Sequence, residues 1–206
     1  MKILYIESKL KDSEDFNLPA LEIAKLPKTL FLAYSIQYKS LAQKIKTQLE
    51  KNKIKIDSFV QVLGCSKINT KYPVLLIGAG RFHALNLYLQ SSEVYILENN
   101  KIAKISKEEI QKLENKRRAA LLKFLSAESI GILVSSKPGQ ENMNVAIKLK
   151  EKLTSEGKKA YIFISNNIDI AQFENFQIDS WVNTSCPGLS YDNSNILNYS
   201  QIPNFK

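Results

Sequence analysis

One pattern occurs twice in this chain, and it restricts the fold more than any other feature. Residues 32–51 read LAYSIQYKSLAQKIKTQLEK and residues 133–153 read LVSSKPGQENMNVAIKLKEKL. Each begins as an apolar run, passes through a serine-bearing turn and continues into a helix face of the form Ala-x-Lys-apolar-Lys. A strand, turn and helix repeated at long range indicates internal duplication of a βαβ unit. Alternation of strands and helices at this spacing favours parallel sheets with helices on their faces. The expected fold is therefore α/β, as two similar three-layer-type domains.

The remaining segments extend this reading. An apolar run at 3–6 reads as a strand, and the stretch through Pro19 and Pro27 reads as a connection with at most one short helix. In the first repeat, strand 29–34 precedes helix 38–51, whose Leu41, Ala42, Ile45 and Leu49 share one face, and 54–62 is extended. Strand 74–77, a glycine turn, helix 82–89 and strand 94–97 complete the unit. Ser106 as N-cap with Glu109 three residues on opens a long helix to about residue 126. The second repeat comprises strand 130–134, a polar turn at 135–140, helix 141–156 ending at Gly157, strand 160–164, a short helix near Ile170 and strand 181–183. The expected organisation is 1–27 as a linker or remnant of a preceding domain, 28–105 as one α/β domain, 106–127 as a connecting helix and 128–206 as the second. A second likeness, Ile56-Asp57-Ser58-Phe59-Val60 to Ile178-Asp179-Ser180-Trp181-Val182, carries less weight because the segments occupy different places in the two repeats.

Composition excludes some classes. At 206 residues and 44% hydrophobic, the chain can bury one large or two small cores. The amino terminus turns charged after five residues, so it is neither a secretory segment nor a membrane span, and a cytoplasmic protein is expected. The net charge of +9 is carried mostly by lysines spread over helix faces, such as Lys44, Lys46, Lys148, Lys150 and Lys152. Without an aromatic-studded basic stripe, direct nucleic-acid binding is not expected.

The chemistry-bearing residues lie just after strands, where ligands of parallel sheets gather. Gly78-Ala79-Gly80-Arg81-Phe82-His83 opens a helix, so backbone amides and Arg81 could meet an anion, although a plain structural turn fits equally well. His83, the chain's one histidine, is read as a half-buried structural residue. Ser135-Ser136-Lys137-Pro138-Gly139-Gln140 offers hydroxyls, an ammonium and an amide, again compatible with a simple turn. Cys65 and Cys186 lack metal-motif spacing, and isolated cysteines are more often buried small hydrophobes than ligands. Their loops are nevertheless polar, accessible and rich in turn residues, which suits a thiolate. Two thiolates alone cannot hold a cubane cluster, which takes cysteines on at least three irons.

Gln61-Val62-Leu63-Gly64-Cys65, the Gly78 to His83 turn, Val134-Ser135-Ser136-Lys137-Pro138-Gly139-Gln140 and Val182-Asn183-Thr184-Ser185-Cys186-Pro187 occur together in this order in one family. Over residues 28–205 the chain resembles the archaeal 2-(3-amino-3-carboxypropyl)histidine synthases of diphthamide biosynthesis. The resemblance implies second and third domains without the first, and Cys65 and Cys186 as metal ligands of a [4Fe–4S] cluster whose third cysteine comes from another chain. It implies radical cleavage of S-adenosylmethionine and transfer of its 3-amino-3-carboxypropyl group to a histidine of elongation factor 2. Ser35, Gln37, Gly80, Arg81, Ser135, Ser136, Lys137, Gln140 and Asp192 are then candidates for binding the cofactor, with no catalytic residue assigned beyond the cluster. Expected partners are a separately encoded first domain and the elongation factor as protein substrate, with a dimer left open. The alternatives are a non-catalytic accessory subunit of the same complex and an unrelated small-molecule-binding module. Departures from the family pattern include Gly188 where an arginine usually follows Cys186-Pro187, Asn193 beside Asp192, and Ala84-Leu85-Asn86 where proline and glycine are usual.

Overall fold

The structure is a computed structural model, and it describes residues 16–78, 80–91, 93–193 and 195–205. The chain divides into two compact units, residues 1–110 and 111–206. In the first, α1 (Ala20–Ile23) precedes β1 (Thr29–Tyr34), α2 (Lys39–Lys51), β2 (Lys55–Gln61), β3 (Val74–Ile77), α3 (Arg81–Tyr88), β4 (Val94–Glu98) and β5 (Lys101–Lys104). Helix α4 (Lys107–Ser126) carries the division, and β6 (Ser129–Ser135), α5 (Met143–Ser155), β7 (Lys159–Ser165), β8 (Ser180–Asn183), α6 (Leu189–Asp192) and β9 (Ile196–Asn198) follow.

The two sheets repeat one another. Strand order is β2-β1-β3-β4-β5 in the first and β7-β6-β8-β9 in the second, so β1 to β4 correspond to β6 to β9. All pairings within these corresponding sets are parallel. Helix α2 buries Ala42, Ile45 and Leu49, and α5 buries Ala146, Leu149 and Leu153 at the same spacing. Both helices stop in the same way. Ile54 N–H donates to Leu49 O at 3.0 Å beyond Lys53 (φ 63°), and Lys158 N–H donates to Leu153 O at 3.0 Å beyond Gly157 (φ 84°). This six-to-one bond needs one residue in the left-handed region, a conformation glycine adopts more cheaply than lysine. The expected α/β fold with parallel sheets flanked by helices is thus the observed one.

Central strands β1, β3, β6 and β8 are almost wholly buried. This is why β1, β3 and β6 carry continuous apolar runs that do not alternate, while β8 buries Ser180 and Asn183 on either side of Trp181 and Val182. In the first unit Leu30, Leu32 and Tyr34 pack with α2, while Phe31, Ala33 and Leu76 on the opposite face are equally closed. In the second, Ile130, Ile132 and Val134 pack with α5 and with Ala120 and Phe124 of α4.

Several expectations need adjustment. The strand expected at 3–6 lies outside the described residues. Leu18, Ile23 and Leu26 join the core of the first unit, so residues 16–27 are packed structure. β5 and β9 were not read from the pattern: β5 is an antiparallel edge strand made by an Asn99-Asn100 turn with both residues at positive φ, and β9 has only three residues. The Ser106–Glu109 capping box forms, with Ser106 N–H donating to Glu109 Oε2 at 3.0 Å and Glu109 N–H donating to Ser106 Oγ at 3.2 Å.

Candidate functional site

Each sheet turns its connections in opposite directions from one strand, β1 in the first unit and β6 in the second. Loops diverging at such a point leave a crevice at the carboxyl ends of the strands. In the first unit this point lies between β1 and β3. Ser35 N–H donates to Ile77 O at 3.1 Å, and the position of a Cβ on Gly78 would lie 3.0 Å from Ser35 Oγ, so a side chain at residue 78 would crowd the serine. The Ser35 hydroxyl is buried and has no hydrogen-bond partner among the described residues. A cleft of about 660 Å³ opens here, lined by Phe16, Tyr38, Gly78, Gly80, Glu98 and Asn100 among others.

Gln37 is exposed in the single turn after β1. Gly80 caps α3 at φ 91°, which explains a glycine at that position. Arg81 is held by two carboxylates, donating to Glu98 at 3.0 Å and to Glu109. Glu109 first and Glu98 second push its proton affinity up. Burial pushes the Glu109 carboxyl up, but the Ser106 N–H and the Arg81 guanidinium outweigh it and hold the group below its ordinary value. The arginine anticipated as an anion clamp therefore ties the start of α3 to β4 and the start of α4.

Cys65 is exposed in the loop after β2. Asn86 of α3 and Gln90, just past the end of that helix, grip this loop. Asn86 Nδ2 donates to Gly64 O, Gln90 Nε2 donates to Ser66 O at 3.1 Å, and Ile68 N–H donates to Gln90 Oε1 at 2.9 Å. Phe82 closes over Gly64 so tightly that a Cβ there would lie 2.4 Å from the ring.

In the second unit the corresponding point lies between β6 and β8. It is closed by hydrogen bonds: Ser135 N–H donates to Ser185 Oγ at 2.6 Å, and Thr184 gives both its hydroxyl (2.8 Å) and its N–H (3.1 Å) to Leu133 O. Ser135 is buried and its Oγ accepts from Lys137 N–H at 3.1 Å, so this hydroxyl serves the turn itself. Ser136 is exposed, Gln140 N–H closes the turn on Lys137 O at 3.0 Å, and the Lys137 ammonium makes no ion pair among the described residues. Asp192 ends α6.

Cys186 is half-buried and, like Cys65, a free thiol. Asn183 and Asn198, 1% and 6% exposed, hold its turn. Asn183 Nδ2 donates to Cys186 O at 2.8 Å and to Asn198 Oδ1 at 2.7 Å, while Asn183 Oδ1 accepts from Ser185 N–H at 2.9 Å. Asn198 Nδ2 in turn donates to Ser190 Oγ at 2.6 Å. These four carboxamides, at 86, 90, 183 and 198, escape a reading from motifs because Asn and Gln carry no chemistry of their own; the one clue was Asn86 in place of the family's usual residue.

Among the described residues no group of three or more His, Cys, Asp or Glu is placed to hold a metal ion. A cubane cluster takes cysteines on at least three irons, so this chain's donor set fits such a group only as part of a larger ligand set.

Two α/β units of matching strand order, each with a free thiol in a loop that follows a parallel strand, define a tandem α/β protein. The chain belongs to the diphthamide synthesis protein family, whose model matches residues 1–201. It is 26% identical over 183 residues to the 2-(3-amino-3-carboxypropyl)histidine synthase of Pyrococcus horikoshii, covering 83% of this chain and 54% of that protein. It is 29% identical over 174 residues to the synthase of the same name from Methanocaldococcus jannaschii, covering 80% and 46%. The crystal structure of Dph2 from Pyrococcus horikoshii with a 4Fe-4S cluster matches with a TM-score of 0.75 at 25% identity, over 86% of this chain and 56% of that one. The chain spans about half the length of the curated relatives it matches. Among the described residues, no helix is long and apolar enough to cross a membrane.

Proposed function

We propose that this chain supplies the two-cysteine half of a 2-(3-amino-3-carboxypropyl)histidine synthase, the transferase of the first step of diphthamide biosynthesis. The observation that carries this reading is the placement of Cys65 and Cys186 as free thiols in loops after parallel strands, in a chain that shares its fold with a cluster-bearing relative. A third cysteine from outside these residues completes the set, and the three together would hold a [4Fe–4S] cluster. When bound, that cluster provides the electron that cleaves S-adenosylmethionine and releases the 3-amino-3-carboxypropyl group for a histidine of elongation factor 2.

The residues of this chain bind and orient. Lys137, whose ammonium is uncommitted, suits the methionine carboxylate, with Ser136 and Gln140 adding a hydroxyl and an amide. Ser35 holds an unsatisfied hydroxyl just behind Gly78, which lines the cleft of the first unit with Gly80. The lack of a side chain at Gly80 admits a ligand close to the backbone, and Gln37 follows Ser35 in the same turn. Arg81 shapes the Gly80 turn through Glu98 and Glu109. Ser135 holds the Lys137 turn, and Asp192 is the acidic candidate for the amino group.

Co-expression with a chain carrying the unmatched half of the relatives, followed by anaerobic reconstitution, tests this. Iron and sulfide in cubane stoichiometry and cleavage of S-adenosylmethionine are expected, and Cys65→Ala or Cys186→Ala should abolish both. A pair that assembles but never takes up a cluster overturns the reading. One rival is a non-catalytic accessory subunit, and diphthamide formation that survives both substitutions would establish it.

A further inference from the structure

We infer that Asn86, Gln90, Asn183 and Asn198 are positioning residues that clamp the two cysteine loops, one pair for each thiol. Each pair reaches the loop from an element other than the loop itself. In the first unit, Asn86 on α3 and Gln90 in the turn that follows the helix engage between them the backbone on both sides of Cys65, at Gly64, Ser66 and Ile68. Gln90 uses both ends of its amide, donating to one loop residue and accepting from another, so it holds the loop's direction as well as its distance. In the second unit, Asn183 at the end of β8 does the same, donating to Cys186 O and accepting from Ser185 N–H. Asn198 on the neighbouring β9 accepts from Asn183 and fastens the far side of the turn at Ser190.

General packing explains these residues less well. A turn needs no side chain from elsewhere to close, and Cys186 O already receives Leu189 N–H within its own turn. Burying Asn183 at 1% exposure demands that its polar atoms be satisfied, and they are satisfied by the residues that flank and include the cysteine. The two clamps are built independently, since Cys65 follows an edge strand and is held from α3 and the turn after it, whereas Cys186 follows an inner strand and is held from strand ends.

The use of the thiols as ligands rests on the proposed function; the clamp does not, and its test needs no cluster. Amide hydrogen exchange and iodoacetamide alkylation are measured by mass spectrometry on the reduced full-length chain. In Asn86→Ala/Gln90→Ala, exchange across 63–68 should accelerate by about fivefold for each hydrogen bond removed, with 184–190 and strands β1 and β6 unmoved. Asn183→Ala should produce the reverse, with Cys186 alkylation rising by a similar factor and the Cys65 rate serving as reference within the same molecule. Asn198→Ala, at the short strand β9, gives the same readout if Asn183→Ala does not fold. Loop exchange that stays unchanged, or that rises together with the strands of its own unit, overturns the inference and leaves these amides as ordinary structural groups. A chain that shows both loop-specific effects yet never gains a cluster with any partner keeps the clamp and sinks the cluster reading.

Discussion

Replacing Gly131 by alanine should destabilise the second unit, and the structure fixes the size of the effect. Gly131 is paired with Trp181 across β6 and β8, and the indole lies over it. A Cβ at residue 131 would come within 2.3 Å of Trp181 Cζ3 and 2.4 Å of Cε3, about 1 Å inside ordinary contact. The ring has little room to retreat, because Phe163 and Phe173 stand against it with centroids 4.9 and 5.6 Å away. Overpacking of this kind costs roughly 1–3 kcal/mol. The backbone at Gly131 is ordinary strand, so alanine also gains about 0.4–1 kcal/mol by restricting the unfolded chain. Packing wins, and a net loss of about 1–2 kcal/mol is expected. Trp181 is the only tryptophan, so its fluorescence follows this unit directly in urea. With a slope of roughly 1–3 kcal/mol per molar, the midpoint should fall by about 0.5–1 M, and the native emission should shift. In a Trp181→Leu background the same substitution should cost nothing further. A midpoint that holds or rises with unchanged emission would refute the packing argument.

Ser35→Ala should leave thermal stability unchanged or raise it slightly, because the hydroxyl it removes is buried without a partner, while calorimetric affinity for S-adenosylmethionine should fall. Lys137→Gln should weaken cofactor affinity several-fold, with a loss that shrinks at high ionic strength, and leave the urea midpoint in place. Glu109 carries a lowered proton affinity, so its contribution is complete above the ordinary carboxylate range and disappears as pH falls through the lower folded value. An acid titration by circular dichroism should therefore show a helix loss in the wild type that Glu109→Gln, already lacking the charge, does not share.

Strands β1, β3 and β6 were legible because each is closed on both faces and so appears as an unbroken apolar run, whereas β8 shows only Trp181 and Val182 between Ser180 and Asn183. Helices α2 and α5 were legible through their 3.6-residue faces, and Ser106–Glu109 through its spacing. β9 was not, since three residues give no period to read. β5 could have been found, because Asn99-Asn100 between two apolar runs is a hairpin signal once both residues are allowed positive φ. At the site, sequence located the loops and missed their restraints. Nothing in the spacing of Arg81 announces that Glu98 and Glu109 would take its guanidinium, because neither acid is its neighbour in the chain.

The duplication gives two equivalent crevices, and the chain treats them differently. The turn that corresponds to the Cys186 loop in the first unit is the turn after β3 that bears Gly78 and Gly80 and carries no thiol; Cys65 sits on the other side of β1, after the edge strand β2. In the second unit, hydroxyls of Thr184 and Ser185 fill the space between β6 and β8 by bonding to the main chain of the neighbouring strand. In the first, two glycines and a serine with an unsatisfied hydroxyl occupy the equivalent position, and a cleft remains. A duplicated fold thus separates two tasks that compete for one place, with the thiol turn closing the crevice of one unit and an open pocket kept in the other. On this reasoning a small polar ligand should protect amides at 35–38 and 78–81 from exchange before it protects those at 135–140, and the reverse order would mean that the cleft in the first unit is not where binding begins.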